Sequence, residues 1–218
     1  MCEIRLLFPV HMRTFFQDDT WQSGLEEIRV RVGQPIEFCY GSDNCYLIGK
    51  EKEQMFCSEK DYRRWEKDLY HASEADLREM LNYISNYSLY AYKEEIKQGY
   101  ITIEGGHRVG VAGQTVLVDG KIAGISPITF LNIRIAHEKC GCARKILPLI
   151  RQKNSIYNTL ILSMPGAGKT TLLRDSIRAL SNGEAYGIRL KVCVVDERSE
   201  IAASFHGVPQ NDMGPRTD

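Results

Sequence analysis

The sequence lacks any long apolar run and carries no net charge. Nowhere do about 18 apolar residues follow one another, the length that a membrane-spanning helix needs, and the N-terminal stretch MCEIRLLFPV is too short and too charged for a signal-peptide core. Its 28 basic residues balance 28 acidic ones, so no global field draws the chain to nucleic acid or to an anionic membrane. These absences argue against a simple DNA-binding protein. They predict a cytoplasmic, globular chain whose 43% hydrophobic residues bury a core.

A disulfide framework is also missing. The seven cysteines are odd in number and scattered, at positions 2, 39, 45, 57, 140, 142 and 193, which is typical of reduced thiols. The one close pair is Cys140-Gly141-Cys142. A C-x-C pair could supply two metal ligands, but no second pair follows at the spacing of a zinc finger. We therefore predict ordinary thiols near the start of a helix.

What the sequence does contain is a strand, a glycine-rich loop and a helix in immediate succession. Residues 160–162 suit a buried parallel strand, and apolar residues return at helical spacing after the loop. Gly166 and Gly168 leave the loop backbone free to approach a phosphate group. Lys169 then places a cation at the terminal phosphates, and the Thr170 hydroxyl is positioned to ligand Mg²⁺. The predicted nucleotide-binding residues of this segment are Ser163, Met164, Pro165, Gly166, Ala167, Gly168, Lys169, Thr170 and Thr171.

The loop departs from the usual pattern at its first position. The pattern G-x-x-x-x-G-K-[ST] begins with glycine, whereas this loop begins with Ser163. Serine is small enough to follow a strand into a tight turn, so we interpret it as a tolerated variant. The competing interpretation is a glycine-rich turn that binds no ligand. The run Gly-Lys-Thr-Thr between an apolar strand and an amphipathic helix favours the phosphate loop.

An acidic pair follows the next predicted strand. Residues 190–195 form that strand, and Asp196 and Glu197 close it. One interpretation is a Walker B site, in which Asp196 holds Mg²⁺ through water and Glu197 activates the attacking water. In a RecA-like order the Mg²⁺ carboxylate usually lies one strand later, which favours Glu197 as the catalytic base with Asp196 supporting it. A capped strand end with two solvated carboxylates is the third interpretation.

The residues before the loop predict a separate α+β unit. Strict alternation at residues 28–32 indicates an antiparallel sheet, and Ser73 to Asp76 indicate a capping box at the start of an amphipathic helix. Asp119-Gly120 is the strongest hairpin signal in the chain. We place the boundary between residues 138 and 155, and predict an N-terminal α+β domain at residues 1–138 and a P-loop NTPase domain at residues 139–218.

Longer stretches of the sequence resemble a known family. NYSLYAYKEEIKQGYITIEGGHRVGVAGQ, LNIRIAHE, SMPGAGKTTLLRD and VVDERSEIAASFHGVPQNDMGPRTD occur in this order. Together they resemble the stage III sporulation protein AA family of RecA-like ATPases, which is related to the hexameric motors of type II and type IV secretion. The resemblance covers residues 24–218. Its last block is the most specific, since the phosphate loop alone would select any P-loop protein.

The resemblance implies a fold, a ligand and partners. The fold is α/β: an N-terminal α+β domain followed by a RecA-like domain with a parallel sheet. The ligands are ATP and Mg²⁺. The chain is expected to form a homo-oligomeric ring, a hexamer by resemblance, that works with membrane channel proteins of the sporulation complex at the membrane around the forespore. No stable nucleic-acid partner is expected.

The resemblance also implies roles for two arginines. In related motors, arginines of the N-domain reach toward nucleotide phosphates across the ring, and Arg108 and Arg134 match those positions. The alternative is that both are exposed strand arginines. The stretch Val-Val-Asp-Glu-Arg-Ser-Glu resembles the family's acidic box ahead of Walker B, which supports the assignment of Glu197.

Two hypotheses of different classes follow. The first is an ATP-hydrolysing motor subunit of a sporulation-associated channel. The second is a binding module that grips nucleotide without turnover while its N-domain docks a partner or single-stranded nucleic acid. Family members continue past residue 218, through the strand that carries Walker B. The resemblance therefore leads us to expect that this sequence is truncated and its second domain incomplete.

Overall fold

The computed structural model describes residues 4–16, 19–49, 55–153, 155–164, 166–184, 187–197 and 199–218. The chain divides into two units, Met1–Ala136 and His137–Asp218. The architecture is mixed α/β, with one large antiparallel sheet and helices. Among the described residues, no helix combines the length and the apolar character that crossing a bilayer requires.

The first unit is built on a seven-stranded sheet. Its strands are β1 Glu27–Arg31, β2 Glu37–Tyr40, β3 Asp43–Leu47, β4 Phe56–Ser58, β5 Tyr100–Thr102, β6 Arg108–Val118 and β7 Lys121–Arg134. Their order across the sheet is β4-β3-β2-β1-β7-β6-β5, and every neighbouring pair is antiparallel. The predicted alternation in β1 is confirmed, because Ile28 and Val30 are fully buried while Arg31 is exposed.

The hairpin between β6 and β7 forms at the predicted turn. Asp119 and Gly120 both have positive φ, 51° and 72°, as a two-residue type I′ turn requires. Further down the ribbon the two backbones come very close, since a Cβ at Gly113 would lie 2.0 Å from the carbonyl oxygen of Pro127. Only glycine fits there. From residue 112 to the turn, β6 is exposed.

Short helices pack against the buried face of this sheet. The α-helices are α1 Val10–Arg13, α2 Tyr62–Trp65, α3 Glu74–Ile84 and α4 Lys93–Lys97, and the 3-10 helices are Ile4–Leu7, Thr20–Gln22, Glu59–Asp61, Glu66–Asp68, Leu89–Tyr92 and Glu104–Gly106. The predicted capping box of α3 is confirmed: the Asp76 amide donates to Ser73 Oγ, and the Ser73 amide donates to Asp76 Oδ2.

Aromatic side chains fill the core of the first unit. The rings of Phe8 and Phe16 are 4.8 Å apart and those of Phe16 and Trp21 4.6 Å apart, while Phe38 of β2 contacts all three. Phe38 is fully buried. Since aromatic residues bury large areas, this cluster joins the N-terminal helices to the sheet.

The second unit is organised around one long helix. Its elements are the 3-10 helix Cys142–Lys145, helix α5 Leu147–Ile150, the two-stranded ribbon β8 Arg151–Gln152 with β9 Ser155–Ile156, and helix α6 Lys169–Asn182. Gly168 and Gly183 flank α6, each with a left-handed backbone. Ala179 and Leu180 of α6 pack against Ala143 and Leu147.

The parallel sheet predicted for this unit is not present among its described residues. Residues 160–162 form no strand, and Leu160 and Leu162 are each 80% exposed. In residues 190–195 one parallel bridge, Val192 to Thr217, is present. A strand needs a hydrogen-bonded neighbour, and the described part of the chain places none beside residues 160–162. The prediction of a buried strand at residues 160–162 is therefore wrong for this structure.

Candidate functional site

The predicted phosphate loop turns into helix α6 through two left-handed glycines. Gly166 has φ +76° and Gly168 has φ +85°. A Cβ at either position would meet nothing within 4 Å, so the positive φ is what favours glycine. The Ala167 amide donates to the Met164 carbonyl at 3.3 Å, which closes the turn. Pro165 lies outside the described residues.

Lys169 folds back over the loop that precedes it. Its Nζ donates to the Ser163 carbonyl at 3.1 Å, the Met164 carbonyl at 2.9 Å and Ser163 Oγ at 3.3 Å. An ammonium group has three donors, and here each of them meets a loop oxygen. Ser163, the residue that departs from the usual pattern, supplies two of the three acceptors.

Four of the residues that the sequence nominated, two from each of two separate segments, line one cavity. Its volume is about 310 Å³, and its lining is Ile161, Lys169, Thr170, Leu173, Asp196, Glu197, Glu200 and Ile201. The cavity therefore brings a lysine and a threonine hydroxyl from the start of α6 together with two predicted carboxylates. The other predicted loop residues that the structure describes do not line the cavity: Ser163, Met164, Gly166, Ala167, Gly168 and Thr171.

Asp196 and Glu197 have different surroundings. The Asp196 carboxylate accepts hydrogen bonds from three backbone amides, those of Glu200 at 2.9 Å, Ile201 at 2.8 Å and Ala202 at 2.9 Å. It thereby anchors the segment that follows it. Glu197 is exposed, and its carboxylate makes no hydrogen bond to any residue that the structure describes. Of the two, Glu197 is the carboxylate available for chemistry in the cavity.

Arg174 is a site residue that the sequence analysis missed. Its Nε donates to the Ile201 carbonyl at 2.7 Å and its Nη2 to the Glu200 carbonyl at 2.9 Å. Burial lowers the pKa of Arg174, an effect that the charges of Glu138 and Asp196 oppose. Arg174 and Asp196 thus hold the same segment from two sides. Its position in the sequence could have identified it, because Arg174 lies four residues after Thr170 and therefore on the same face of α6.

The chemistry of these groups suits a nucleotide with Mg²⁺. Hydroxyl and carboxylate oxygens are the ligands that Mg²⁺ takes, and the cavity presents the Thr170 hydroxyl together with the carboxylates of Asp196, Glu197 and Glu200. The described residues contain no cluster of three or more histidine, cysteine or acidic side chains able to hold a metal ion. Mg²⁺ is usually bound by one or two carboxylates plus substrate phosphates, and a cavity that also contains Lys169 fits that mode of binding.

The two predicted arginines belong to the first unit and lie side by side there. Arg108 of β6 is directly opposite Arg134 of β7. The Arg108 guanidinium lies 3.8 Å from the centre of the Tyr100 ring, and Arg134 Nε is 3.8 Å from Glu27 Oε2. The Arg134 side chain is 67% exposed. Both arginines are on the polar face of the sheet, since their neighbours Val109 and Ile133 are buried.

Comparison with known proteins places the chain in a family. A glycine-rich loop entering a helix at Gly-Lys-Thr-Thr is the arrangement of phosphate-loop proteins. The model of the family "Sporulation stage III, protein AA" matches residues 2–218. The chain is 39% identical over 220 aligned residues to Stage III sporulation protein AA of Bacillus subtilis (strain 168). It belongs to the sporulation stage III protein AA family.

Two further facts come from the same comparisons. The alignment with the Bacillus subtilis protein covers all of this chain and 64% of the relative, so the chain spans under two thirds of that protein's length. Among solved structures, the chain is similar to the Legionella pneumophila ATPase DotB, with a TM-score of 0.39 and 19% sequence identity. That match covers 79% of this chain and 42% of DotB.

Proposed function

We propose that the chain is the ATP-binding and hydrolysing part of a motor subunit in a sporulation-associated channel complex. The observation that carries the proposal is the shared cavity of Lys169, Thr170, Asp196 and Glu197. Membership of the sporulation family supplies the biological setting. In this proposal the subunits form a ring, hexameric by resemblance, and work beside membrane channel proteins.

The proposal gives a task to four residues of the cavity and to Arg174 beside it. Lys169 exchanges its contacts with two neutral carbonyls and a hydroxyl for phosphate oxygens, and a charge-assisted hydrogen bond is stronger than the ones it leaves. Loop amides and the N-terminus of α6 orient the phosphates. Thr170 ligands Mg²⁺, which neutralises developing phosphate charge when bound. Glu197 orients and deprotonates the attacking water, and Asp196 with Arg174 fixes the segment beside it.

Substitution of Lys169 tests nucleotide binding. Lys169→Ala should lower the affinity for a fluorescent ATP analogue by roughly 10- to 150-fold, because it removes a hydrogen bond between charged groups. Lys191→Ala is the matched control, because Lys191 belongs to the same unit, is exposed and does not line the cavity. Equal affinity for the wild type and Lys169→Ala contradicts the proposal.

We further propose that Arg108 and Arg134 contact nucleotide phosphates of a neighbouring subunit. Like charges directly opposite each other on adjacent strands destabilise a sheet, and Arg108 and Arg134 are such a pair. Glu27 approaches Arg134 but is also bound by Arg29. An anion placed between Arg108 and Arg134 would lower the repulsion between these two guanidinium groups.

This role predicts a split between binding and turnover. Arg134→Ala should lower the rate of phosphate release at a protein concentration that supports rings, and leave the affinity of the dilute chain for nucleotide unchanged. Arg31→Ala is the control on the same sheet face, because Arg31 pairs with Glu37 at 2.8 Å. If Arg134→Ala and Arg31→Ala release phosphate at the same rate, Arg134 is a surface arginine of the sheet.

The second candidate, a module that binds nucleotide without turnover, is favoured by one observation. Both oxygens of Asp196 accept hydrogen bonds from backbone amides, so this carboxylate is held by its own segment and is less available to support Mg²⁺ or the attacking water. Steady-state phosphate release separates the candidates, because only the motor subunit hydrolyses ATP.

A further inference from the structure

The turn Cys140-Gly141-Cys142 brings two exposed thiols close together in the second unit. Both cysteines are exposed, and Gly141 between them has φ +86°. Two residues separated by one other can lie at most about 7 Å apart at their Cα atoms, and a turn shortens that distance. A disulfide needs a Cα separation of about 4.4–6.8 Å. Across this left-handed glycine the separation of the two Cα atoms therefore meets the first geometric requirement of a disulfide.

This turn is fixed to the phosphate-loop helix through one buried carboxylate. Asp175 of α6 is buried and accepts a hydrogen bond from the Ala143 amide at 2.7 Å. Although burial would raise the pKa of Asp175, hydrogen bonds from the Ala143 and Gly141 amides, Arg178 and the Cys142 thiol hold it below its usual value. Asp175 thus gathers donors from three consecutive residues of the turn.

One of the two thiols touches the start of α6 directly. Cys142 Sγ lies 3.7 Å from the Thr171 carbonyl oxygen, within hydrogen-bond reach for sulfur. Thr171 follows Thr170, which lines the candidate nucleotide cavity. A change at Cys142 therefore acts on the first turn of the helix whose N-terminus carries the phosphate loop.

We propose that Cys140 and Cys142 form a reversible disulfide, a modification site that couples thiol oxidation to the first turn of helix α6. The oxidant is a low-molecular-weight disulfide. The modification stands on the geometry of the turn alone, whereas its effect on nucleotide affinity rests on the proposed function.

The two cysteines have different parts in the reaction. Burial raises the pKa of Cys142, and its hydrogen bond to Asp175 raises it further. Cys140 is therefore the thiol that attacks first. Its thiolate bonds to one sulfur of the small disulfide, whose S–S bond breaks and releases one thiol. Cys142 then loses its proton to solvent and attacks Cys140 Sγ, which expels the second thiol. Two electrons pass from the cysteine pair to the small disulfide, which leaves as two reduced thiols.

Oxidation changes the surroundings of α6. The Thr171 carbonyl and the Asp175 carboxylate are alternative acceptors for the one thiol proton of Cys142, and the disulfide removes that proton. The sulfur must also turn toward Cys140. We expect the amides of residues 170–174 to exchange hydrogen with solvent about fivefold faster, the effect of losing roughly one hydrogen bond.

The test begins with the modification. The whole chain is treated with oxidised glutathione, and its mass and free thiols are compared with those of the chain kept in dithiothreitol. The expected product has lost two hydrogens in mass, with the loss located in the peptide that contains both cysteines. In Cys140→Ser and Cys142→Ser that product should be absent, whereas Cys193→Ser, which removes another exposed thiol of the same unit, should still form it. A stable glutathione adduct on Cys140, or no reaction, overturns the proposal.

The second measurement tests the coupling between oxidation of the cysteine pair and the first turn of α6. Hydrogen exchange at residues 170–174 and affinity for a fluorescent ATP analogue are measured on reduced and oxidised chains. Faster exchange with affinity lowered about fivefold supports the coupling and the nucleotide site together. Faster exchange in a chain that binds no nucleotide in either state supports the coupling and counts against the proposed function. Unchanged exchange in a fully oxidised chain overturns the coupling.

Discussion

The sheet of the first unit and the loop region of the second both contain apolar patterns typical of strands, but only those in the sheet are buried. Ile28 and Val30 of β1 are fully buried between β2 and β7. Leu160 and Val195 of the second unit are 80% and 90% exposed. An apolar pattern therefore identifies residues that can fill a core, whereas the elements that pack over these residues decide whether they do.

The two regions also differ in the kind of side chains that they contain. In the first unit the buried face of the sheet holds aromatic and aliphatic side chains. In the second unit the cavity has polar side chains beside three apolar ones, and the polar groups of Asp196 and Lys169 are held by backbone groups. Changes in the first region should cost stability, and changes in the second should cost binding or turnover.

The largest effect is expected at Glu197, and it tests the chemical side of this contrast. If Glu197 deprotonates the attacking water, Glu197→Gln should lower steady-state phosphate release by about 100- to 10,000-fold, because the amide keeps the shape of the side chain and removes its basic oxygen. Nucleotide affinity and unfolding should stay unchanged. Glu200→Gln is the control from the same cavity. A rate for Glu197→Gln within about twofold of the wild type eliminates the catalytic role.

The next effect tests the packing side. Phe38→Ala removes a fully buried ring from the aromatic cluster and should lower the free energy of unfolding of the first unit by about 3–5 kcal/mol. Both tryptophans of the chain, Trp21 and Trp65, belong to this unit, so urea unfolding followed by tryptophan fluorescence reports on it.

Leu160→Ala is the counterpart in the second unit. Because Leu160 is exposed, its substitution should change stability by less than about 0.5 kcal/mol, measured by hydrogen exchange in α6. Equal costs for Leu160→Ala and Phe38→Ala would show that residues 160–162 are packed in solution, and the contrast between the units would fail.

The parts of the fold that the sequence predicts are local ones. The turn at Asp119-Gly120 needs two residues with positive φ, and the capping box of α3 needs Ser73 and Asp76 three positions apart. Such patterns are complete within a few residues. Strand β4, Phe56–Ser58, was missed because its three residues lie in a charged segment and acquire their structure by pairing with β3.

The candidate site divides in the same way. The glycines and Lys169 form a contiguous motif, so their geometry was predictable. Arg174 was not, because its partners, the carbonyls of Glu200 and Ile201, are 26 and 27 residues away in sequence. The three amides that donate to Asp196 lie only four to six residues after it, but their hydrogen bonds were not predictable either, because they require the chain to turn back after the predicted strand. The sequence therefore identifies the candidate site residues, whereas their roles depend on contacts that form only in the folded chain.

The smallest effect is expected at Ser163 and refines the account of the site. The Ser163 hydroxyl is one of three oxygens that hold Lys169, at the longest of the three distances. Ser163→Gly removes that acceptor but keeps both carbonyls, so Lys169 should move to phosphate slightly more readily. Glycine also relaxes the turn at a modest entropic cost. These small opposing terms predict an affinity for a fluorescent ATP analogue that is unchanged or up to about threefold tighter. Thr159→Gly is a suitable control, since its hydroxyl bonds to the Tyr157 carbonyl outside the loop. A large loss of affinity in Ser163→Gly alone would mean that the hydroxyl itself contacts the nucleotide, and this exposed loop position would then contribute directly to binding.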